Sequence, residues 1–373
     1  MRAINQYIFN AEEVQQERIR ELGNKLEKLN KLIDWEMFRS IIEKKLNRNK
    51  DARKGGRPPM DAILMFKIII LQALNGDLSD ESMEYMITVR LDWLEFLGLV
   101  LGEKVPDKNT IWTFKENLGT DTMQELMRIF NQMLLEKGVI TCKGTIVDAT
   151  FNDVPRRRAT TREENQSLKS GEIPDSLKKI ECPQTPEEMA HNHKISQIDT
   201  DAAWAEKGKE QHFGYKGNAA VDVESKIVTD VVVTPANVHD VRVYVHMVCL
   251  AFTFYMTGAP VELLVSYADS GYTGEKYHDM LVGMFKGACI HVIRKATKGQ
   301  SLKGWEKSYN RSVAKIRCRV EHVFGAITND MGGIRTNSIG MERNSRDIVI
   351  KFLAYNINRA AFLLGTANRA TAC

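Results

Sequence analysis

Gly144-Thr-Ile-Val-Asp-Ala-Thr-Phe151 is the stretch at which the chain changes from a helical to a strand-like pattern. Its apolar and β-branched residues predict a strand, and Asp148 lies in the middle of it. A carboxylate in an apolar strand is costly to bury unless it is paired or binds a cation. Asp148 is therefore either a candidate functional residue or an aspartate that caps a turn at the end of the strand.

The sequence beyond this strand predicts a mixed sheet. Further strands are indicated by runs bounded by turn residues, at His212–Val223, Ile227–Val233, Val261–Tyr267 and Ile290–Ile293. Helical patterns fall between or after them, at Asp240–Phe254, Lys276–Phe285 and Ser308–Ile327. Three antiparallel-looking strands followed by strands that alternate with helices are typical of an α/β fold. The polar stretch of residues 155–211 has few apolar residues, which predicts a long insertion or a partly mobile loop.

The chain before residue 140 has a helical pattern from residue 11 onward. A coiled-coil-like seam opens it, with apolar residues at spacings of three and four: Ile19, Leu22, Leu26, Leu29 and Ile33. Because the seam is short, it predicts either an amphipathic helix packed within its own domain or a contact between two copies of the chain.

A basic linker follows the seam, from Lys44 to Arg57, and includes Arg53 and Lys54. Gly-Gly-Arg-Pro-Pro at residues 55–59 ends it and punctuates the chain before a new helix. This concentration of positive charge favours a polyanionic partner.

Three helices are predicted after the linker, over Met60–Leu74, over Asp80–Arg90 and after Asp107. Short helices with tight turns resemble a helix-turn-helix unit, although any small helical domain has the same pattern. We therefore predict two domains, an all-α domain of residues 1–140 and an α/β domain of residues 141–373.

Two more acidic residues accompany Asp148. Asp269 stands where an apolar strand ends, in Ala268-Asp-Ser-Gly-Tyr272, and the carboxyl ends of such strands carry functional groups in α/β sheets. Glu321 lies in a helical pattern one turn after Arg317. The alternatives are a structural turn for Asp269 and an ordinary i,i+4 ion pair for Glu321.

The segment before Glu321 is strongly basic. Nine Lys or Arg and one acid, Glu306, lie between residues 294 and 319, and the basic residues nearest to Glu321 are Arg311, Lys315, Arg317 and Arg319. A basic strip that leads to an isolated glutamate suits a phosphate backbone bound beside a metal ligand. Oxygen ligands select hard cations, so the three acids together predict a site for Mg²⁺ or Mn²⁺, with two ions as is common in phosphoryl chemistry.

Composition limits the compartment. The chain has 373 residues, and 52 Lys+Arg against 48 Asp+Glu give a net charge of +4. Six scattered cysteines without a CxxC pair indicate a reducing compartment. The start of the chain lacks a signal-peptide pattern, and no uninterrupted apolar run is long enough for a membrane span. We therefore expect a cytoplasmic, nucleoid-associated protein that does not bind a membrane.

Six short motifs in order give the sequence a family resemblance. They are 106–114 (PDKNTIWTF), 144–150 (GTIVDAT), 212–216 (HFGYK), 234–240 (TPANVHD), 268–272 (ADSGY) and 317–324 (RCRVEHVF). Together they resemble the DDE transposases of bacterial insertion sequences, in particular the group numbered five. The chain departs from the broader family signature in having Ala314 in place of a tyrosine and Thr328 in place of a lysine.

The resemblance implies an RNase H-like catalytic domain behind an all-α DNA-binding domain. It implies Asp148, Asp269 and Glu321 as the catalytic and metal-binding triad, and Asn237, His239 and Asp240 as structural support. The implied partner is double-stranded DNA, and the implied activity is cleavage of the terminal inverted repeats and joining of the ends to target DNA by a homodimer assembled on DNA.

Three alternatives stay open. The chain could be a metal-dependent nuclease that cuts without joining. It could be a catalytically silent DNA-binding protein derived from a transposase, an alternative that Thr328 keeps open. It could also be an unrelated α/β protein whose basic helix serves a small anionic substrate. A zinc site at Cys182, His191 and His193 is disfavoured because a fourth ligand at the usual spacing is missing.

Overall fold

The computed structural model describes residues 11–46, 59–258, 263–296 and 299–370. Contacts divide the chain into two units. The first comprises Met1–Ala73, Leu78–Leu118 and Ile357–Cys373, and the second comprises Leu74–Asp77 and Gly119–Asn356. The prediction that residues 1–140 act together as a DNA-binding domain is not decided by this division and stays a prediction.

The first unit is built from helices. They are α1 (Ala11–Glu21), α2 (Lys25–Leu32), α3 (Arg39–Lys45), α4 (Ala62–Leu74), α5 (Asp80–Val89), α6 (Leu91–Leu97), the beginning of α7 (Lys108–Glu136) and the end of α14 (Met341–Ala370). Helix α4 is the centre of this unit because nearly all of its apolar side chains are buried. Phe66 of this helix packs against Trp35 and Phe38. The predicted α4 and α5 are confirmed to within two residues at each end.

The predicted seam does not lie on a single helix. Gly23 has a φ of 88°, which favours glycine, and Asn24 caps α2 by accepting a hydrogen bond from the backbone N–H of Leu26 at 2.9 Å. The seam is thus split between α1 and α2. Leu22 is 81% exposed, whereas Leu29 is 4% exposed and belongs to the core of the unit. The basic linker residues Arg53, Lys54 and Arg57 lie outside the described residues.

The second unit contains a six-stranded mixed sheet. Its strands are β1 (Thr145–Asp153), β2 (Ala203–Lys207), β3 (Glu210–Asp222), β4 (Val228–Pro235), β5 (Val265–Ala268) and β6 (Cys289–Val292). The order is β2-β3-β1-β5-β6, and β4 also pairs with β3. Strands β1 to β4 pair antiparallel, and β1, β5 and β6 pair parallel. This confirms the predicted RNase H-like α/β sheet, in which β1 stands at the centre.

Helices pack around the sheet. They are the rest of α7, α8 (Arg162–Ser170), α9 (Pro186–Ser196), α10 (Asp240–Met256), α11 (Glu275–Met284), α12 (Gly304–Arg317), α13 (Arg319–Asp330) and the first part of α14. Buried Tyr244, Met247 and Phe252 form the face of α10 that belongs to the core.

Residues 155–211, predicted to be a long insertion or a partly mobile loop, are not a loop. The stretch contains α8, α9 and β2, and Asn165 of α8 donates a hydrogen bond to the carbonyl of Ala202 at 2.9 Å. Buried Asp199 accepts a hydrogen bond from the Tyr215 hydroxyl at 2.7 Å. These buried hydrogen bonds hold the stretch in place of apolar contacts. The scarcity of apolar residues was the reason for predicting a long insertion or a partly mobile loop.

Helix α14 is long and apolar enough to cross a membrane by length and composition, over Met341–Thr366. In the protein, 67% of its apolar window is buried. Within the second unit the helix carries Lys351, whose ammonium donates to the carbonyl of Met331 at 2.6 Å and pairs with Asp77 at 2.6 Å. These features are typical of the core helix of a globular unit.

A β-bulge distorts the pairing of β3 with β4. Ala220 lies opposite Asp230 and Val221 lies opposite Val228, so Thr229 is the additional residue of β4. Asp230 beside the bulge has a buried Oδ2 that finds no hydrogen-bond partner among the described residues.

Candidate active site

Two of the predicted acids lie on neighbouring parallel strands. Val147 of β1 lies opposite Ala268 of β5, and the next residues along the two strands are Asp148 and Asp269. Each carboxylate is held by a backbone N–H, of Ala149 at 2.9 Å for Asp148 and of the following residue at 2.6 Å for Asp269. The pairing of the strands therefore explains why residues 121 positions apart share one edge of the sheet.

Glu321 is brought to the same edge by a break between two helices. The sequence predicts one helix over residues 308–327, but α12 ends at Arg317 and α13 begins at Arg319. That prediction is corrected, since Cys318 terminates the first helix and starts the second. Buried Val320, Val323 and Ile327 anchor α13, which packs against β1, while the side chain of Glu321 is 59% exposed.

Arg317 joins two of the acids. Its Nη1 donates to Oδ2 of Asp148 at 2.8 Å, and its Nη2 donates to Oε1 of Glu321. The side chains of Arg317 and Asp148 are only 18% and 20% exposed. The predicted i,i+4 pair with Glu321 is thus present, and it is one half of a bridge that reaches the central strand.

All three acids and Arg317 line one cleft of about 610 Å³. Thr328, which stands where the family signature has a lysine, also lines the cleft. So do several residues that the sequence did not assign to the site: Phe151, Asp153, Lys207, Glu210, His212 and Arg335. His212 belongs to a motif that carried the family resemblance, whereas Lys207 lies in the stretch that was predicted to be a long insertion or a partly mobile loop.

His212 is fixed within the cleft by two contacts. Its ring stacks on Phe151 with a centroid distance of 4.0 Å, and its Nδ1 lies 3.1 Å from Oδ1 of Asp153. The same motif contains Lys216, whose ammonium donates to Oδ1 of Asp240 at 2.8 Å. Asp240 therefore supports the strand beside the site, which is the structural role that the sequence predicts for it.

Burial dominates the electrostatics of Asp148. Loss of hydration raises the pKa of this carboxyl above its ordinary value, although the cations of Arg317 and Lys207 act in the opposite direction. The negative charge of Asp269 raises that pKa further. Additional positive charge in the cleft would therefore stabilise the ionised site.

Tyr272 is buried close enough to Asp148 and Asp269 for their charges to act on its hydroxyl. Its hydroxyl is buried without a hydrogen-bond partner among the described residues, and its ring packs against Tyr244 at 5.1 Å. Burial and the charges of Asp148, Asp240 and Asp269 raise the pKa of the Tyr272 hydroxyl, so it stays protonated as a potential donor.

The oxygen atoms of the three acids are suitable ligands for divalent cations, but the arrangement of the acids in this structure is less suitable. Carboxylate oxygens are the ligands that Mg²⁺ and Mn²⁺ prefer. In the part of the chain that the structure describes, no group of three or more acidic, histidine or cysteine side chains is arranged to hold an ion. The guanidinium of Arg317 contacts both Asp148 and Glu321. An ion shared by these two residues would need the same carboxylates.

The predicted DNA-contacting residues have different surroundings. Arg311 and Lys315 are exposed on α12. Arg319 donates to the carbonyl of Val223 at 2.9 Å and pairs with Glu224 at 3.3 Å, so it is held against the turn after β3.

The mixed sheet carries Asp148 within its central strand β1 and Asp269 directly after the neighbouring strand β5. The family described as "Transposase DDE domain" matches residues 143–357, and "Transposase domain (DUF772)" matches residues 13–117. The chain belongs to the DDE transposase family of the insertion-sequence type. It is a DNA transposase, a metal-dependent enzyme that cleaves and transfers DNA.

One solved structure that resembles the chain is "Cryo-EM structure of piggyBac transposase synaptic complex with hairpin DNA (SNHP)". The two chains are 13% identical, and the alignment covers 94% of this chain and 75% of the other with a TM-score of 0.39. The assignment to group five of the insertion sequences stays a prediction.

Proposed function

We propose that this transposase binds the terminal inverted repeats of its own element, cuts at their ends and joins them to target DNA. The observation that carries the proposal is that Asp148, Asp269 and Glu321 line one cleft although they come from distant parts of the sequence. A site that holds water or a 3′-hydroxyl as the nucleophile serves both cutting and joining.

The three acids would hold Mg²⁺ or Mn²⁺, two ions in the complete site. Bound ions would activate the nucleophile and stabilise the leaving oxygen. The protein supplies the fixed elements: Asp148 and Asp269 are set by strand pairing, and Glu321 by the packing of α13. Negative charge concentrated by the acids disfavours phosphates, and the nearby cations of the cleft offset this.

The basic side chains of the cleft are suited to the DNA backbone. Lys207 and Arg335 line it together with the acids, and both are exposed. The family signature has a lysine where this chain has Thr328. Either Lys207 or Arg335 could replace that lysine in positioning the terminal phosphate, because a phosphate contact depends on charge and reach. We assign this role to Lys207, whose charge acts on Asp148.

Recognition of the element's ends is assigned to residues 1–140. A helix in the major groove reads bases more readily than a sheet does, and the basic linker with Arg53, Lys54 and Arg57 supplies phosphate contacts. Basic residues near Glu321, namely Arg311, Lys315, Arg317 and Arg319, would contact DNA beside the cut. Two copies of the chain, one for each end of the element, would assemble on the DNA in the cytoplasm at the nucleoid.

The test is a cleavage and joining assay with the full chain, Mg²⁺ and DNA that carries the sequences flanking its own reading frame. The cuts are mapped, and joined products are detected by amplification across the new junctions. Asp148→Asn and Glu321→Gln should each abolish both products. Asp279→Asn, an exposed aspartate on α11 outside the cleft, is the matched control and should cut like the unmodified chain.

The alternatives give different outcomes. Cut ends without junctions would mean a nuclease that does not join. Binding of the ends without cuts, in Mg²⁺ and in Mn²⁺, would mean a silent DNA-binding protein. Robust cutting in EDTA, or by Asp148→Asn, would refute the assignment of the acids.

A further inference from the structure

The position of Arg317 has a consequence for how the site is loaded. Its guanidinium contacts Asp148 and Glu321 at once, through two different nitrogens. A planar guanidinium with two donors directed at two carboxylates is a strong charge-assisted arrangement. An ion shared by Asp148 and Glu321 requires the same oxygen atoms, so the arginine and the ion compete for them.

We propose that Arg317 is an internal counter-ion that occupies the acid site until DNA arrives, so that divalent ions and DNA bind cooperatively. This inference rests on the proposed metal site of Asp148, Asp269 and Glu321. In the absence of DNA, the guanidinium neutralises one of the three carboxylate charges and prevents an ion from binding to Asp148 and Glu321. A DNA phosphate in the cleft provides another anionic partner for Arg317.

The burial of the three groups supports this role. Asp148 and Arg317 are both about four-fifths removed from solvent, so an unpaired charge there would be costly. Glu321 is mostly exposed and could exchange partners without that cost. Release of Arg317 from Asp148 therefore has to be coupled to the arrival of another cation at Asp148.

The local backbone also suits an exchange. Arg317 is the last residue of α12, and Glu321 lies in the first turn of α13, beyond the junction at Cys318. Arg317 therefore reaches the cleft from the end of a helix, and Lys207 and Arg335 line the same cleft and would attract the phosphate that receives it.

The test measures ion binding without catalysis. Mn²⁺ is titrated into the full chain, and its free form is followed by electron paramagnetic resonance. Without DNA, Arg317→Gln should bind Mn²⁺ roughly ten- to a hundredfold more tightly than the unmodified chain, the range expected for loss of competing charged hydrogen bonds. Arg162→Gln on α8 removes the same charge outside the cleft and should bind Mn²⁺ like the unmodified chain.

The second measurement repeats the titration with a DNA duplex of unrelated sequence, after subtraction of the Mn²⁺ that the duplex binds alone. DNA should raise the Mn²⁺ affinity of the unmodified chain and have a much smaller effect on Arg317→Gln, since reciprocity requires the coupling to disappear with the competing group. Arg317→Lys, which keeps the charge but cannot contact both carboxylates as a fork, replaces Arg317→Gln if that variant does not fold.

The outcomes separate this inference from the proposed function. If Asp269→Asn weakens Mn²⁺ binding but Arg317→Gln binds no more tightly than the unmodified chain, the metal site stands and the counter-ion role is refuted. An equal effect of DNA on both chains would refute it as well. If Mn²⁺ does not bind to the unmodified chain with or without DNA, the proposed metal site fails and the counter-ion role fails with it.

Discussion

Asp230 should make the stability of the second unit fall as the pH rises. Burial raises the pKa of this carboxyl from its ordinary value of 3.8 to about 6. The difference is about 2 pH units, and each unit corresponds to about 1.4 kcal/mol, so the ionised carboxylate costs the folded unit about 3 kcal/mol. The substitution that removes this cost is Asp230→Asn.

The direction follows from proton binding. The folded state holds the proton more tightly than the unfolded state does, so the stabilising contribution is complete below about pH 4. It is lost as the pH rises toward about 6 and does not change further above that value. The asparagine variant does not titrate at this position. Its free energy of unfolding relative to the unmodified chain should therefore increase by about 3 kcal/mol between about pH 4 and about pH 8.

Urea unfolding followed by tryptophan fluorescence at several pH values measures this difference. Other titrating groups are common to both chains and cancel, as does the constant effect of placing an amide beside the bulge. Asp279→Asn on the exposed face of α11 is the control and should show no such trend. A difference between Asp230→Asn and the unmodified chain that varies by less than about 1 kcal/mol over this range would refute the reasoning.

Three other variants test the site and the linker. Tyr272→Phe removes a buried hydroxyl without a described partner, so the metal-free chain should unfold with a free energy that is unchanged or raised by up to about 1 kcal/mol in urea; a larger loss would reveal a hidden partner. Asp269→Asn should abolish cutting in the cleavage assay while DNA affinity, measured by fluorescence anisotropy, is unchanged or slightly higher, because a negative charge facing phosphates is removed. Loss of folding in that variant would make Asp269 a structural turn residue. Replacement of Arg53, Lys54 and Arg57 by alanine should reduce the slope of log affinity against log salt by about 0.9 for each phosphate contact that is lost, and an unchanged slope would exclude the linker from DNA binding.

Much of the sheet could be predicted because its strands carry local signals. The stretch around Asp148 is apolar and β-branched, and glycine or polar residues bound it, so β1 was predicted within two residues of its observed end. Strand β2 was missed because Ala203–Lys207 contains little that distinguishes it from the polar residues around it. It forms because Trp204 pairs with Phe213 of β3, a contact that local sequence does not reveal.

The arrangement of the acids was only partly predictable. Asp269 could be placed at a strand end from its own neighbours, and that is where it lies. No glycine or proline marks the helix break at Cys318 in the sequence, and the helical spacing of apolar residues continues across it. The contact of Arg317 with Asp148 joins residues 169 positions apart and arises from the packing of α13 on β1, which no local pattern encodes.

If Asp148, Asp269 and Glu321 act together as proposed, their separation along the chain also sets when the enzyme can first act during its synthesis. About 170 residues lie between Asp148 on β1 and Glu321 on α13. At roughly 5 to 20 residues per second, a ribosome needs roughly 10 to 35 s to add Glu321 after Asp148. During that interval the nascent chain contains Asp148 but lacks Glu321, so on the proposed site it would not cut DNA. On the same proposal, a chain whose translation stops before Glu321 would not cut DNA.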